Sequence, residues 1–171
     1  MHSIPSSSSV QAQDVTEPAR DELVDAVLRA SRALVAVAAR SLAGVAEDVT
    51  LPQYRFLIEL ASRGPQRLAD LASALGVDRS TATRMCDRLV RKRLVTRRRT
   101  QEDRRAVRVS LTASGAELVA EVSRRRREEI AAIVQRMPAA HRDPVVTALR
   151  TFADAAGEVP EQDWSLGWDL D

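Results

Sequence analysis

The chain changes its hydrophobic period within residues 78–111, and this change limits how the middle of the molecule can fold. Over 79–92 apolar residues recur at three- and four-residue intervals, which predicts an amphipathic helix. The apolar side comprises Ala82, Met85, Leu89 and Val90, and the polar side comprises Arg79, Ser80, Thr83, Arg84, Asp87 and Arg91. One side of this helix is therefore expected to face the core, and the other is suited to an anionic partner.

Directly after this helix the pattern becomes β-rich. Two short runs, 94–98 and 106–111, flank the polar and mostly charged loop 99–105, which predicts a β-hairpin with a basic tip. Residues 79–108 hold twelve Arg or Lys against three acidic residues, a balance of +9, whereas the whole chain is only +2. Such concentrated positive charge is typical of a surface that displaces counterions from a phosphate backbone.

The residues before the charged helix predict two more helices and a tight turn. Thr50 and Gln53 have the spacing of a capping box, which opens a helix that ends near Gly64. A shorter helix follows and ends at Gly76, a natural left-handed C-cap, and Asp78 can then cap the charged helix through the N–H of Ser80 or Thr81. Two short helices joined in this way form a helix-turn-helix.

Long helices are predicted on both sides of this unit. One covers 17–42 and is apolar on more than one side, so we expect a second subunit to cover it. Another begins after Thr112 and extends to Met137, with ion pairs expected between Arg124 and Glu128 and between Arg125 and Glu129. A last helix is predicted over 144–156. The fold class is thus mainly α with a small β-hairpin wing.

The ends of the chain differ from its middle. Residues 1–16 are Ser-rich and predict a disordered tail, and 158–171 form an acidic segment that holds Trp164 and Trp168. Between them we expect a single domain, 17–157, with the winged helix-turn-helix at about 50–111 and dimerisation helices at 17–46 and 112–157. Because an exposed Trp is costly, the tail is expected either to dock on its own body or partner, or to fray.

The composition argues against several classes of protein. The histidines, His2 and His141, and the single cysteine, Cys86, cannot form a zinc ligand set or a nucleophile pair, and no glycine-rich phosphate loop occurs. We therefore predict neither an enzyme nor a bound cofactor or metal. One cysteine, no apolar run of membrane-spanning length and no signal sequence predict a cytoplasmic protein.

The segments DRSTATRMCDRLVRKRLV and EDRRAVRVSLTASG, with the predicted order of helices and wing, carry a family resemblance. Over about 23–156 the chain resembles the MarR family of winged-helix transcriptional regulators. The most specific part of the resemblance is the wing signature formed by Asp103, Arg105, Leu111, Thr112 and Gly115.

The resemblance implies a homodimer that binds a pseudo-palindromic operator in double-stranded DNA, most often as a repressor that a small, often aromatic or phenolic, effector releases. It implies that the recognition helix 79–92 enters the major groove and that the wing around Arg104 and Arg105 reaches the minor groove, with Asp103 orienting an arginine. Position along the helix then suggests base contacts from its first half and phosphate contacts further on. The predicted DNA-binding residues are Arg79, Ser80, Thr81, Thr83 and Arg84 for base edges, with Arg88, Arg91 and Lys92 for phosphates and Arg99, Asp103, Arg104 and Arg105 in the wing.

Two alternatives stay open at this point. The first is a redox-responsive regulator in which the arginines around Cys86 lower the pKa of its thiol, although the position of Cys86 lies near the buried side of the helix. The second is a structural protein that binds nucleic acid without sequence preference. For a small effector, Tyr54 and Arg55 are the candidate ligand residues, and spacing alone does not identify the molecule.

Overall fold

The computed structural model describes residues 17–46, 48–99 and 107–164. The chain divides within its first helix into two compact units, 1–36 and 37–171. The helices are α1 (Glu17–Ala43), α2 (Leu51–Arg63), α3 (Leu68–Ala74), α4 (Arg79–Arg91), α5 (Ala113–Gln135) and α6 (Arg142–Ala155), and the strands are β1 (Gln66–Arg67), β2 (Val95–Arg99) and β3 (Val107–Leu111). Short 3-10 helices occupy Ala139–His141 and Glu161–Asp163. The predicted fold class is confirmed.

Side-chain caps define where the helices begin, as the sequence predicts. The Thr50 hydroxyl accepts a hydrogen bond from the Gln53 N–H at 3.4 Å, and the Gln53 side chain accepts one from the Thr50 N–H at 3.2 Å, which completes the capping box of α2. Thr112 caps α5 through the N–H of Gly115 at 3.1 Å. Gly76 ends the α3 turn with φ of 64°, a left-handed conformation in which glycine has no Cβ penalty.

The three strands form one antiparallel sheet in the order β1-β3-β2. The predicted hairpin is confirmed: Val95 pairs with Leu111 and Arg99 with Val107, so the two long strands remain in register. The tip, 100–106, lies outside the described residues. Strand β1 is not among the predicted elements; its two residues pair with Val109 and Arg108 and fasten the start of α3 to the wing.

One hydrophobic core lies within the second unit and joins α2 to the helix-turn-helix, the sheet and the start of α5. Its largest fully buried side chains include Phe56, Leu57, Leu71, Leu89 and Val119. Each such side chain stabilises the fold by about 1.5–3 kcal/mol relative to its exposed state. Because α4 contributes Leu89, Met85 and Cys86 to this core, its rotation about its own axis is fixed.

Two other helical surfaces keep their apolar side chains exposed. In the first unit, the described part of α1 exposes Leu23, Val24, Leu28, Leu34 and Val35. In the second unit, α6 has no buried residue and exposes Val146, Leu149 and Phe152. No helix among the described residues is both long enough and apolar enough to cross a bilayer.

Candidate nucleic-acid interface

Asp78 organises the first turn of α4. Its Oδ1 accepts hydrogen bonds from the Ser80 hydroxyl at 2.6 Å and from the Thr81 N–H at 2.9 Å, and its Oδ2 accepts one from the Thr81 hydroxyl at 2.7 Å. These donors, the Ser80 hydroxyl first, hold the pKa of the Asp78 carboxyl well below its usual range. The predicted N-cap is confirmed, and it fixes the Ser80 and Thr81 side chains at the end of the helix that is predicted to contact bases.

The two sides of α4 separate by charge. Ala82, Met85, Cys86 and Leu89 are buried, whereas the arginines of α4 and Ser80 are exposed and Thr81 and Thr83 are half-buried. One expectation is wrong: Val90 is 37% exposed, because it lies one position around the helix from Leu89 and beyond the edge of the core. The exposed arginines are Arg79, Arg84, Arg88 and Arg91.

Local hydrogen bonds orient the polar side near the N-terminus of α4. Arg84 donates from Nη2 to the Thr81 hydroxyl at 3.0 Å, which draws the guanidinium back toward the start of the helix. The Thr83 hydroxyl donates to the Arg79 carbonyl at 2.8 Å. Side chains near the start of a recognition helix reach base edges, and the base contact of Arg84 stays a prediction.

Lys92, at the C-terminal end of α4, is predicted from the sequence to contact a phosphate, but in the structure it pairs with an acidic residue. The Lys92 ammonium donates to the Asp48 carboxylate and, at 2.5 Å, to the Asp48 carbonyl. The hydrogen bond from Lys92 lowers the pKa of the Asp48 carboxyl. A phosphate would therefore compete with Asp48 for Lys92, whereas Arg88 and Arg91 have no ion pair with another residue in the described ranges.

The turn from α4 into β2 is fastened to the start of α5. Arg93 adopts a φ of 58°, and the Thr112 hydroxyl donates to its carbonyl at 2.6 Å while the Thr112 N–H donates to the Leu94 carbonyl at 3.1 Å. A Cβ on Gly115 would lie 2.0 Å from the Leu94 oxygen, so only glycine permits this approach. The helix and the hairpin are thus held at a fixed angle.

The hairpin is also tied to α4 by an ion pair and a buried thiol. Arg97 Nη2 lies 2.8 Å from Asp87 Oδ1. Cys86 is fully buried, and this burial raises the pKa of its thiol although Arg97 acts in the opposite direction. The expectation that neighbouring arginines lower this pKa is wrong, because Arg84, Arg88 and Arg91 lie on the exposed side of the helix.

The wing residues are described only in part. Arg99 ends β2, with its backbone paired to Val107, and its side chain lies outside the described part of the structure. The predicted residues Asp103, Arg104 and Arg105 also lie outside the described residues. Their assignment to DNA stays a prediction.

Tyr54 and Arg55, the predicted effector residues, lie on α2 in different surroundings. Tyr54 is buried, which raises the pKa of its hydroxyl, and that hydroxyl interacts with Ser123. Arg55 is exposed and forms ion pairs with Glu59 at 3.3 Å and with Glu158 at 2.7 Å. Helical geometry thus directs one side chain inward and the other outward.

A segment near the C-terminus lies beside Arg55. For this segment the sequence predicts either docking or fraying. Residues 157–164, here termed the strap, contact the helices through the Gly157 carbonyl, which accepts from Arg63 Nη2 at 2.9 Å, and through Glu161, which lies 2.7 Å from Arg127. The half-buried Trp164 packs against the core, so docking on the chain's own body is confirmed for this Trp. Trp168 lies outside the described residues.

The arginine-rich part of α5 has partners on its own helix. Arg124 contacts Glu121 at 2.8 Å and Glu128 at 2.5 Å, which confirms the predicted Arg124–Glu128 pair. The predicted pair between Arg125 and Glu129 is wrong. Arg125 contacts Glu121 at 2.9 Å, whereas Glu129 contacts Arg40 of α1 at 2.7 Å, a tertiary contact that helical spacing does not reveal.

Comparison with known proteins identifies this arrangement. The MarR family model matches residues 49–107, which include α2, α3, α4 and β2. The crystal structure of RV1404 from Mycobacterium tuberculosis is 44% identical, superposes with a TM-score of 0.79, and covers 85% of this chain and 99% of that one. The chain belongs to the MarR family.

Two other similar proteins agree with this assignment. The HTH-type transcriptional regulator YhbI of Bacillus subtilis is 35% identical over 72 residues, which are 42% of this chain and 47% of that protein, so the chain spans about half the length of the curated relatives it matches. The structure of BpsR from Bordetella bronchiseptica, a protein whose DNA binding is regulated by 6-hydroxynicotinic acid, is 25% identical with a TM-score of 0.58 and covers 77% of this chain and 98% of that one. YhbI is a transcriptional regulator and BpsR is a protein with regulated DNA binding, which agrees with the regulator, rather than enzyme, predicted from the sequence.

Proposed function

We propose that this MarR protein is a homodimeric transcriptional regulator that binds a pseudo-palindromic operator in double-stranded DNA, acts as a repressor, and is released by a small effector. One observation carries the DNA-binding part of the proposal. The buried side of α4 fixes the helix, and its other side exposes four arginines, with Ser80 among them at the capped end. A recognition helix that enters a major groove needs such an arrangement, with an apolar side on the core and a polar, cationic side toward the DNA.

Within this proposal the residues of α4 have separate roles. Arg79, Ser80, Thr81, Thr83 and Arg84 lie in the first half of the helix, where side chains reach base edges, and Arg84 has the length and forked donors suited to guanine. Arg88 and Arg91 contact phosphates, and Lys92 does so if Asp48 releases it. The wing residues Arg99, Asp103, Arg104 and Arg105 complete the contact, with arginine favoured in a narrow minor groove.

The exposed apolar surfaces support the homodimer. The helix α6 has no buried residue and exposes about half of the surface of Val146, Leu149 and Phe152, and α1 separately exposes Leu23, Leu28 and Val35. Contiguous apolar surface on a soluble protein commonly marks an interface. A second copy of the chain is the partner that a two-fold operator requires.

The proposed effector is small and aromatic or phenolic. In the related protein BpsR, 6-hydroxynicotinic acid, a heteroaromatic acid, regulates DNA binding. In the present chain, Tyr54 and Arg55 of α2 and the neighbouring surface of α5 are the residues proposed for an effector.

The decisive experiment selects a binding duplex from a random pool and measures its affinity in competition with a random duplex at one salt concentration. We expect the selected duplex to bind at least about 10³-fold more tightly and to contain two related half-sites. Equal affinities would overturn the proposal in favour of the structural nucleic-acid binder. Sedimentation equilibrium on the same sample should give a dimer at micromolar concentration, and a monomer would overturn the two-fold docking.

The redox alternative receives less support from the structure. A thiol with a raised pKa that is closed off from solvent reacts slowly with peroxide, since the thiolate is the reactive form. We therefore expect DNA binding to survive peroxide treatment and to be the same in Cys86→Ser. Loss of binding after peroxide in the intact chain, absent in Cys86→Ser, would restore the redox mechanism.

A further inference from the structure

The strap lies over the surface that the proposed function assigns to an effector. Its Glu158 forms an ion pair with Arg55 at 2.7 Å. In addition to burial, the charge of its Glu161 acts on Tyr54 and raises the pKa of the tyrosine hydroxyl. On the α5 side, Glu161 is held by Arg127. The chain's own C-terminal segment therefore pairs with Arg55 and lies near Tyr54, the two residues proposed for the effector.

Trp164 is held mainly by packing. Its indole N–H donates to the Val159 carbonyl at 3.0 Å, which is a bond within the strap, while the ring is half-buried against the core. A cavity of about 270 Å³ lies directly beside the ring and is lined by Val119, Ala120, Ser123, Arg124, Arg127, Glu161 and Trp164. Val119 and Ala120 form the apolar part of the surface beside the indole, and the other lining side chains, apart from Trp164 itself, are polar or charged. A flat ring that takes the place of the indole would pack on the same apolar part.

The bonds that hold the strap are of the kind that open readily. Each ion pair joins side chains that solvent reaches, with about half of the Arg55 and Glu158 side-chain surfaces exposed. Exposed pairs contribute little to stability and weaken as salt is added. The strap can therefore open at these ion pairs. The Trp164 ring can then leave the core and keep its hydrogen bond to the Val159 carbonyl, because that bond lies within the strap.

We propose that the strap is an intramolecular cover for a site that binds a flat aromatic molecule, and that the Trp164 ring and the incoming ring compete for the same surface of α5. The inference rests on the proposed function for its regulatory meaning, since the effector of that function would then bind only when the strap is released. It assigns the ligand class from the ring that the ligand would replace: a planar aromatic ring.

The test uses free indole, the ring of Trp164 itself, and isothermal titration calorimetry on the full-length chain without DNA. A site that is covered most of the time has an apparent affinity reduced by the fraction of open molecules. We expect Trp164→Ala to bind indole about tenfold more tightly than the unmodified chain. The double variant Glu158→Gln and Glu161→Gln keeps the tryptophan and loosens its anchors, and we expect it to bind about threefold more tightly.

The matched control is Asp163→Asn, which removes an acidic residue of the same short helix that has no ion pair within the described residues. Its affinity for indole should equal that of the unmodified chain. The proposal is overturned if neither Trp164→Ala nor the double glutamine variant gains affinity. If Trp164→Ala fails to fold by circular dichroism, the double variant alone decides.

Failure here is distinguishable from failure of the proposed function. Unchanged indole binding with intact, sequence-selective DNA binding removes only the strap mechanism. If DNA binding lacks sequence selectivity but the variants gain the expected affinity for indole, the proposed regulator function is overturned and the proposed covered site stands.

Discussion

The helices α4 and α5 each carry four arginines, but the two sets have different surroundings. In α5 the run Arg124–Arg127 follows Glu121 and precedes Glu128. Glu121 pairs with Arg124 and Arg125, and Glu128 also pairs with Arg124. In α4 the only acid, Asp87, is taken by Arg97 of the hairpin. The arginines of α4 that face solvent have no ion pair within the described ranges, so their charge is available to a polyanion.

This difference shows that arginine content alone does not identify a DNA-binding surface. What distinguishes such a surface is the positive charge that remains when the arginines in ion pairs with nearby acidic residues are left out. For α5 that remainder is small, whereas the four arginines of α4 have no ion pair within the described residues. The comparison can be tested by measuring how each helix contributes to DNA affinity and to stability.

The largest expected effect is on the salt dependence of DNA binding. If a dimer neutralises about 6–10 phosphates, affinity should fall by about 10³–10⁵ between about 50 and 200 mM salt, measured by fluorescence anisotropy. Replacing Arg88 and Arg91 with alanine should flatten this dependence, because counterion release falls with each lost contact. The double variant Arg124→Ala and Arg127→Ala should leave the slope unchanged, and a flattened slope there would contradict the comparison.

Arg84→Ala should weaken binding to the selected operator by about 1–3 kcal/mol, roughly 5- to 150-fold, and relax the preference at one base pair. The reason is the loss of a forked donor near the start of the recognition helix. Arg136→Ala, which removes an exposed arginine at the end of α5, is the matched control and should bind normally. An equal loss on operator and random DNA would reassign Arg84 from base to phosphate.

Gly115→Ala should reduce the free energy of unfolding by about 1–3 kcal/mol, because the new Cβ would overlap the Leu94 carbonyl oxygen at 2.0 Å and the backbone has to shift. Urea denaturation measures the change. Gly157→Ala is an unsuitable control because Gly157 has a φ of 71°, so Ala113→Gly at the start of the same helix serves instead. An unchanged midpoint for Gly115→Ala would mean that the joint between α4 and the wing is loose.

Glu129→Gln should cost less, about 0.2–1 kcal/mol of stability, since its ion pair with Arg40 is solvent-exposed on the arginine side. Glu117→Gln removes an exposed glutamate of the same helix that has no ion pair in the described residues, and it should be neutral. A larger loss for Glu129→Gln would show that this tertiary pair, and not the pairs within α5, anchors the helix.

The smallest effect concerns Glu121, whose pKa is lowered to about 2, first by the hydrogen bond from Arg124 and then by that from Arg125. A carboxyl with a lowered folded-state pKa stabilises the fold above its ordinary value of 4.5 and loses this contribution as pH falls toward about 2. NMR titration should show Glu121 ionised at about pH 3.5, between these two values. In Arg124→Ala the pKa should rise toward 4.5, and no rise would mean that Arg125 alone holds the carboxylate.

The helices and the hairpin could be predicted because their signals are local. Thr50, Asp78 and Thr112 each place a side-chain oxygen three residues before the N–H that it accepts from, and Gly76 supplies the left-handed turn. The two residues of β1 carry no period and could not be recognised. Their strand exists only because β3 has an open edge beside them.

Partners distant in sequence were beyond prediction for a different reason. Lys92 meets Asp48, Arg40 meets Glu129, and Arg55 meets Glu158 across separations of 44, 89 and 103 residues. Charge complementarity permits many such pairs, and only the packed core selects among them. The same holds for Val90, whose exposure depends on where the core ends rather than on the helical period.

The Thr112 hydroxyl accepts from the first turn of α5 and donates to the last turn before the hairpin, so one side chain belongs to two elements. Because of this shared side chain, the orientation of α4 and the sequence preference of α4 depend on different residues. Under the proposed function, the angle at which α4 would meet a groove is encoded at the base of α5, whereas the bases it would prefer are encoded on the outer side of α4. Descendants of this chain can therefore acquire new target sequences by surface changes alone while inheriting the same docking posture.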